Sequence, residues 1–483
     1  MGKIAKNYLY NVAYQILILL TPIITAPYLA RVLGAYNLGI YSYVSSSGNI
    51  ITTISLLGIY TYGNRQTAYV RENKAELTKT FWELELTRVI LGCTGTAVYF
   101  IYAFCNKDYQ FFFAVYYPYI LAEFIDCSWI YVGLEDMKPA VMKNFVTKLA
   151  TVVGIFIFVK SAEDTWIYIF MLAITTLAAN ISVYSQLPKY VGRPAGAVKF
   201  RNITFHLKGS ISLFLPQVAS IFYLQVDKVM LEWLTDSTSQ VSFYDQAEKI
   251  VSIPLSLITV ISTVMMPRIA NEYKKNNYEI IGELLSKAGR IALCMAMPMM
   301  FGILCISLQF VPWYLGREFL PTARAIMILS PIIIMNSLSG ISGKQYFTAT
   351  NQIPILIRAY GSAAVMNIIV NALLIPRFSY IGAAVATVLS SISSVIVQYY
   401  YLIKQVKLRG VFQCAVKYFC GGAVMAFVIW LISHNLRSTP FTTIIQILTG
   451  ILVYAVFLII TRDNTAIEII HILLNQFHRK GRK

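Results

Sequence analysis

Long unbroken apolar runs recur along the whole chain, at about 8–33, 38–63, 81–104, 109–133, 141–160, 165–188, 209–233, 241–267, 286–309, 322–343, 353–375, 380–403, 412–433 and 441–461. A hydrocarbon layer about 30 Å thick, crossed at about 1.5 Å per residue, needs about 20 residues per helix, and these runs have that length. None shows the ten-residue alternation of a membrane barrel strand. The first run is too long for the apolar region of a cleaved signal and leads through Leu33-Gly34 into the second, so it is expected to stay in the membrane. The pattern predicts an all-α integral membrane protein of 14 transmembrane helices.

Charge placement gives the expected orientation. Taking the N-terminus as cytoplasmic, thirty of the 40 Lys and Arg residues fall in alternate loops and the span ends beside them, and seven in the others. Because basic residues concentrate on the cytoplasmic side, both termini are expected inside. The net charge of +18 then marks orientation and contact with an anionic inner leaflet, and nucleic acid is not an expected partner. Composition agrees, since 57% hydrophobic and 13% charged residues leave too little polar surface for a soluble chain.

The chemistry of common enzymes is absent. The seven cysteines form no C-x-x-C pair, and no H-E-x-x-H, G-x-S-x-G or Walker motif occurs, so neither a metal nor another cofactor is expected. The candidates are instead charged residues inside spans, which are expensive there and face a cavity or one another. They are Arg31, Arg88, Lys228 and Lys249 among the cations, for which cargo contact and structural pairing stand about level. Glu123, Asp126, Asp227, Asp245 and Glu248 are candidates for ion coupling or interhelical ion pairs, with Glu83 and Glu85 beside Arg88. Pro22, Pro27 and Pro216 lie inside the first and seventh spans and are candidate hinges, because proline removes a helix hydrogen bond.

A short repeat suggests how the spans are grouped. Gly39-Ile40-Tyr41-Ser42-Tyr43-Val44 opens span 2, and Ser242-Phe243-Tyr244-Asp245-Gln246-Ala247 opens span 8 at a similar distance from the preceding span. The two spans are six apart in order, an even number, which gives two lobes of equal orientation. The expected organisation is an N-lobe at 1–188, a basic cytoplasmic connector at 189–208, a C-lobe at 209–405, a helix pair at 406–461 and a basic amphipathic tail at 462–483. The tail places Ile467, Ile470, Leu474 and Phe477 on one helical face, suited to the inner membrane surface.

Four stretches together resemble Wzx-type polysaccharide repeat-unit flippases of the multidrug/oligosaccharidyl-lipid/polysaccharide exporter superfamily. They are Pro27-Tyr28-Leu29-Ala30-Arg31-Val32-Leu33-Gly34 running into Gly39-Ile40-Tyr41; Asp126-Cys127-Ser128-Trp129 with Gly133-Leu134-Glu135-Asp136; Asp227-Lys228 with Tyr244-Asp245-Gln246-Ala247-Glu248-Lys249; and Gly382-Ala383-Ala384-Val385-Ala386-Thr387. The resemblance extends from residue 1 to about 405. It implies two six-helix lobes around an alternating-access cleft in a bacterial inner membrane. It also implies a polyprenyl-pyrophosphate-linked oligosaccharide as cargo, with membrane lipids and a polysaccharide polymerase as partners. An ion-coupled drug antiporter of the same superfamily is the alternative. A membrane-embedded glycosyltransferase or ligase fits less well, because the outer loops expected here are only about a dozen residues long.

Overall fold

The computed structural model describes residues 3–194, 196, 200–235, 237–433, 436–463 and 465, and the described chain is helical throughout, without strands. Among the described residues, eight helices are long and apolar enough to cross a membrane, or nine if the bent pair Arg317–Leu329 and Ile332–Thr348 counts as one span. Further apolar stretches are also helical, among them Gln110–Ile125, which is shorter at 16 residues. The amphipathic tail lies, from residue 466 on, outside the described residues.

Contacts divide the chain into Met1–Ser242 and Phe243–Lys483. The first unit holds α1 (Lys3–Leu56), α2 (Ile59–Val70), α3 (Lys74–Cys105), α4 (Gln110–Ile125), α5 (Ser128–Gly133), α6 (Lys138–Phe158), α7 (Thr165–Tyr184) and α8 (Phe200–Leu234). Helix α1 is two helices joined at Gly34, whose φ of 74° and ψ of 176° only glycine adopts without strain. The chain runs helically through Pro22 and Pro27 and leaves helical geometry at Gly34 instead. Gly34→Ala is therefore expected to cost about 1–3 kcal/mol, read as an earlier thermal transition of the purified protein.

Two glycines of this unit allow close approach. A Cβ on Gly39 would lie 2.1 Å from the Thr238 carbonyl oxygen, and one on Gly63 would meet the Trp129 indole at 2.8 Å. Trp129 in turn stacks on Phe81 at 5.6 Å between ring centroids. Helix α8 packs on α1, α2 and α3, and it begins at Phe200, so much of the basic stretch expected as a connector is helix. Pro216 falls within the range of α8, at a position whose side chain lies outside the described set.

The second unit continues α9 (Ser239–Lys274) and adds α10 (Tyr278–Tyr314), α11 (Leu320–Leu329), α12 (Ile332–Ser339), α13 (Ile353–Phe378), α14 (Tyr380–Gln405), α15 (Val411–Ser433) and α16 (Pro440–Ile460). The motif opening at Gly382 serves packing here. A Cβ at Gly382 would come within 2.6 Å of the Leu374 carbonyl, and Ala383, Ala384 and Ala386 are fully buried, so α13 and α14 lie backbone to backbone. The last pair, α15 and α16, docks on α10. There the Trp313 indole N–H donates to Thr443 Oγ1 at 2.8 Å, and the Tyr454 hydroxyl donates to the Cys294 carbonyl at 3.0 Å.

Candidate functional site

Helix α4 stops at Ile125 inside an apolar stretch, and its last four carbonyls have no intrahelical partner. In a membrane such groups must be satisfied by protein, and here side chains of two neighbouring helices do so. Asn180 Nδ2 of α7 donates to the Ala122 carbonyl at 2.7 Å. Arg88 Nη2 of α3 donates to the carbonyls of Glu123 at 3.4 Å and Phe124 at 2.9 Å. The Tyr184 hydroxyl of α7 donates to the Ile125 carbonyl at 2.8 Å. Glu85 completes the arrangement, accepting from Arg88 Nη1 at 3.2 Å and sharing the single Tyr184 hydroxyl proton, at 2.6 Å, with the Ile125 carbonyl.

Arg88 is 2% exposed and is thus a helix cap. Fourteen residues separate it from Lys74, the start of α3, which puts it about 21 Å along the helix. Its contact with Glu123 is to the backbone and not to the carboxylate.

The break after α4 is fixed from its other side. Lys143 Nζ of α6 pairs with Asp126 Oδ1 at 3.0 Å and donates to Ser128 Oγ at 2.7 Å, while the Ser128 N–H and hydroxyl both donate to Asp126. Lys143 is 7% exposed at its side chain. Asp126, Cys127, Ser128 and Trp129 therefore form a helix break closed by a part-buried ion pair, and α5 restarts beyond it.

A third polar cluster ties α2, α3 and α8 together. His206 Nε2 lies 3.0 Å from Glu83 Oε2, the Tyr62 hydroxyl lies 3.2 Å from His206 Nδ1, and Asn202 Nδ2 donates to Glu83 Oε1. Sequence reasoning left His206 in the connector and passed over Asn180 and Tyr184. For Asn180 there was a signal, an amide standing alone in an apolar run.

The remaining candidates fall elsewhere. Arg31 sits three residues before the Gly34 break and donates to the Pro27 carbonyl at 3.0 Å. Asp227 and Lys228 are buried in α8, at 0% and 8% exposure. In the second unit, Asp245 and Lys249 are partners one turn apart on α9 at 2.5 Å, with the half-buried Glu248 between them. Thus the structure gathers Arg88, Glu123 and Asp126 at the end of α4, and Asp245, Glu248 and Lys249 on one turn of α9.

The second unit has its own buried polar lining. A π-helical stretch, Gly340–Thr348, follows α12, and such stretches frequently mark functional sites. Gln398 of α14 accepts from Ser342 Oγ at 2.7 Å and donates to Ser339 Oγ at 2.9 Å and Ser394 Oγ at 3.0 Å. The Tyr244 and Thr387 hydroxyls meet at 2.8 Å.

Comparison with known proteins places this arrangement. The family described as "Polysaccharide biosynthesis protein" matches residues 4–272, more than half of the chain. The chain belongs to that family. A second description, "Lipid II flippase MurJ", matches residues 140–451. Among curated relatives of the family member, a probable low-salt glycan biosynthesis flippase, Agl15, of Haloferax volcanii is 27% identical over 55% of each chain. A putative O-antigen transporter of Escherichia coli K12 is 22% identical over 79% of this chain and 92% of its own. A solved lipid II flippase MurJ in an inward closed conformation superposes with a TM-score of 0.71 at 19% identity, covering 94% of this chain and 98% of that one, which establishes the fold. The family member is a multi-pass membrane transport protein and not an enzyme.

Proposed function

We propose that this chain is a flippase that carries polyprenyl-pyrophosphate-linked oligosaccharide repeat units from the cytoplasmic to the outer leaflet of a bacterial inner membrane, for surface polysaccharide assembly. The observation that carries the reading is the family membership joined to a flippase fold over nearly the whole chain. Physical need supports it. Each sugar hydroxyl costs about 2–7 kcal/mol to bury in hydrocarbon without a partner, and a pyrophosphate far more, so the head group needs a polar path through the bilayer.

In this proposal fourteen spans form two six-helix lobes and a C-terminal pair, both termini are cytoplasmic, and the lobes alternate access to a cleft between them. Arg31, Lys228 and Lys249 are the cations proposed to meet the cargo, whereas the capping bonds of Arg88 favour a structural role for it. In a strain lacking the gene, lipid-linked repeat units should accumulate on the cytoplasmic face and surface polysaccharide should be lost. Unchanged polysaccharide with increased drug sensitivity would favour the antiporter instead.

The topology has its own test. In a cysteine-free background, Gly192→Cys and Ser237→Cys are expected to react with a membrane-impermeant maleimide from opposite sides. Labelling of both from one side would overturn the proposed orientation.

A further inference from the structure

Helices α6 and α7 touch at one end and part at the other. Contact is closest where the Thr151 and Thr175 hydroxyls meet at 3.1 Å and where Gly154 leaves room for the Met171 methyl, which a Cβ would approach to 1.7 Å. From there towards Lys138 and Lys189 the helices diverge around a groove of about 860 Å³, within the roughly 300–1,000 Å³ of ordinary ligand pockets. Its walls combine apolar Met142, Val146, Ala150, Ala178 and Ala179 with the hydroxyls of Thr147, Thr175 and Ser182. Replacing the alanines by larger residues would close it.

The mouth is charged and cationic. Lys138 and Lys189 stand there exposed, and Lys189 Nζ donates to the neutral Gln186 amide at 2.6 Å. Lys143 also lines the groove but its charge is matched by Asp126. The acid at the mouth, Asp136, accepts the Tyr190 hydroxyl, and that bond, with burial, pushes the Tyr190 phenol up to about 12, so it stays a neutral donor. Along α6 the groove runs from Pro139 to Ala150, eleven residues or about 16 Å, close to the depth of one hydrocarbon leaflet.

We propose that the α6–α7 groove binds an anionic glycerophospholipid, one acyl chain lying between the helices and the phosphate meeting Lys138 and Lys189. Three features select this occupant: a cleft one leaflet deep whose walls offer an apolar strip of Met142, Val146, Ala150, Ala178 and Ala179, two ammonium groups at its mouth, and a bilayer that presents such lipids in great excess, so that occupancy follows mass action. On the orientation proposed above, the lipid comes from the inner leaflet. Binding itself does not depend on that orientation or on the cargo, so its failure would leave the flippase reading intact.

Native mass spectrometry of the purified full chain with equal phosphatidylglycerol and phosphatidylcholine tests the proposal. The wild type is expected to retain phosphatidylglycerol in preference. Lys138→Ala/Lys189→Ala should weaken that retention by about 30-fold, from about fivefold per lysine near a lipid surface. Ala179→Trp, which fills the groove without touching charge, should exclude both lipids. Equal retention of the two lipids by the wild type, or unchanged phosphatidylglycerol retention in both variants, would overturn it. So would displacement of phosphatidylglycerol by an equimolar polyprenyl diphosphate, which would make the groove a cargo site. Should the double variant fail to yield folded protein, Lys189→Ala alone, an exposed position, carries the same comparison with a fivefold expectation.

Discussion

Arg88→Ala is expected to lower the stability of the purified protein by about 3–5 kcal/mol, the range found when one partner of a buried ion pair is removed. The loss has two sources. Glu85 keeps a buried charge with only the Tyr184 hydroxyl beside it, and the carbonyls of Glu123 and Phe124 lose their donor where no water replaces it. Arg88→Lys should fall between the two, because one ammonium cannot span both the carboxylate and the two carbonyls as the planar guanidinium does. The charge-swapped pair Arg88→Glu/Glu123→Arg should not recover, since the Glu123 carboxylate takes no part in the contact. Thermal unfolding followed by size-exclusion fluorescence measures all three. Wild-type stability in Arg88→Ala together with lost transport at matched abundance would return this arginine to the cargo path.

Asp126→Ala is expected to be about as damaging, at about 3–5 kcal/mol, and for a related reason. Lys143, 7% exposed at its side chain, would lose its ion-pair partner, and the Ser128 N–H at the start of α5 would lose its acceptor. Lys143→Met should cost a similar amount by stranding the carboxylate. The double variant Asp126→Leu/Lys143→Met removes both charges and should restore much of the stability, because buried ion pairs often contribute little net energy against apolar groups of similar volume. Unfolding temperatures of the four proteins form the cycle, and simple addition of the two single losses would rule out the pairing account. Transport by the double variant then separates roles. Activity near wild type assigns Asp126 to architecture, whereas inactivity at equal stability assigns it to coupling.

The helices were legible because their apolar runs were continuous, and the motif glycines and alanines of the resemblance have packing reasons at Gly39 and Gly382. What the sequence hid was where helices stop. A break at Ile125 follows from no proline or glycine, and its cost is covered by Asn180, Tyr184 and Arg88, which lie far away along the chain. Read in one dimension, Arg88 is an isolated cation in an apolar span and so invites a ligand. Read with its neighbours, it terminates a helix. His206 was hidden for the opposite reason, since the basic residues around it suggested a loop while α8 already begins at Phe200. Proline announces itself in a sequence, yet α1 runs helically through Pro22 and Pro27 and leaves helical geometry only at Gly34, which no such signal marked.

Gly34 joins the two halves of α1 with no loop between them. A connection one residue long has no slack. Displacement of the first half must reappear in the second as rotation about two backbone torsions, so the pair behaves as a crank and not as two tethered rods. Inserting a few flexible residues after Gly34 would leave each helix intact and remove the transmission, which separates the mechanical part of this joint from its packing.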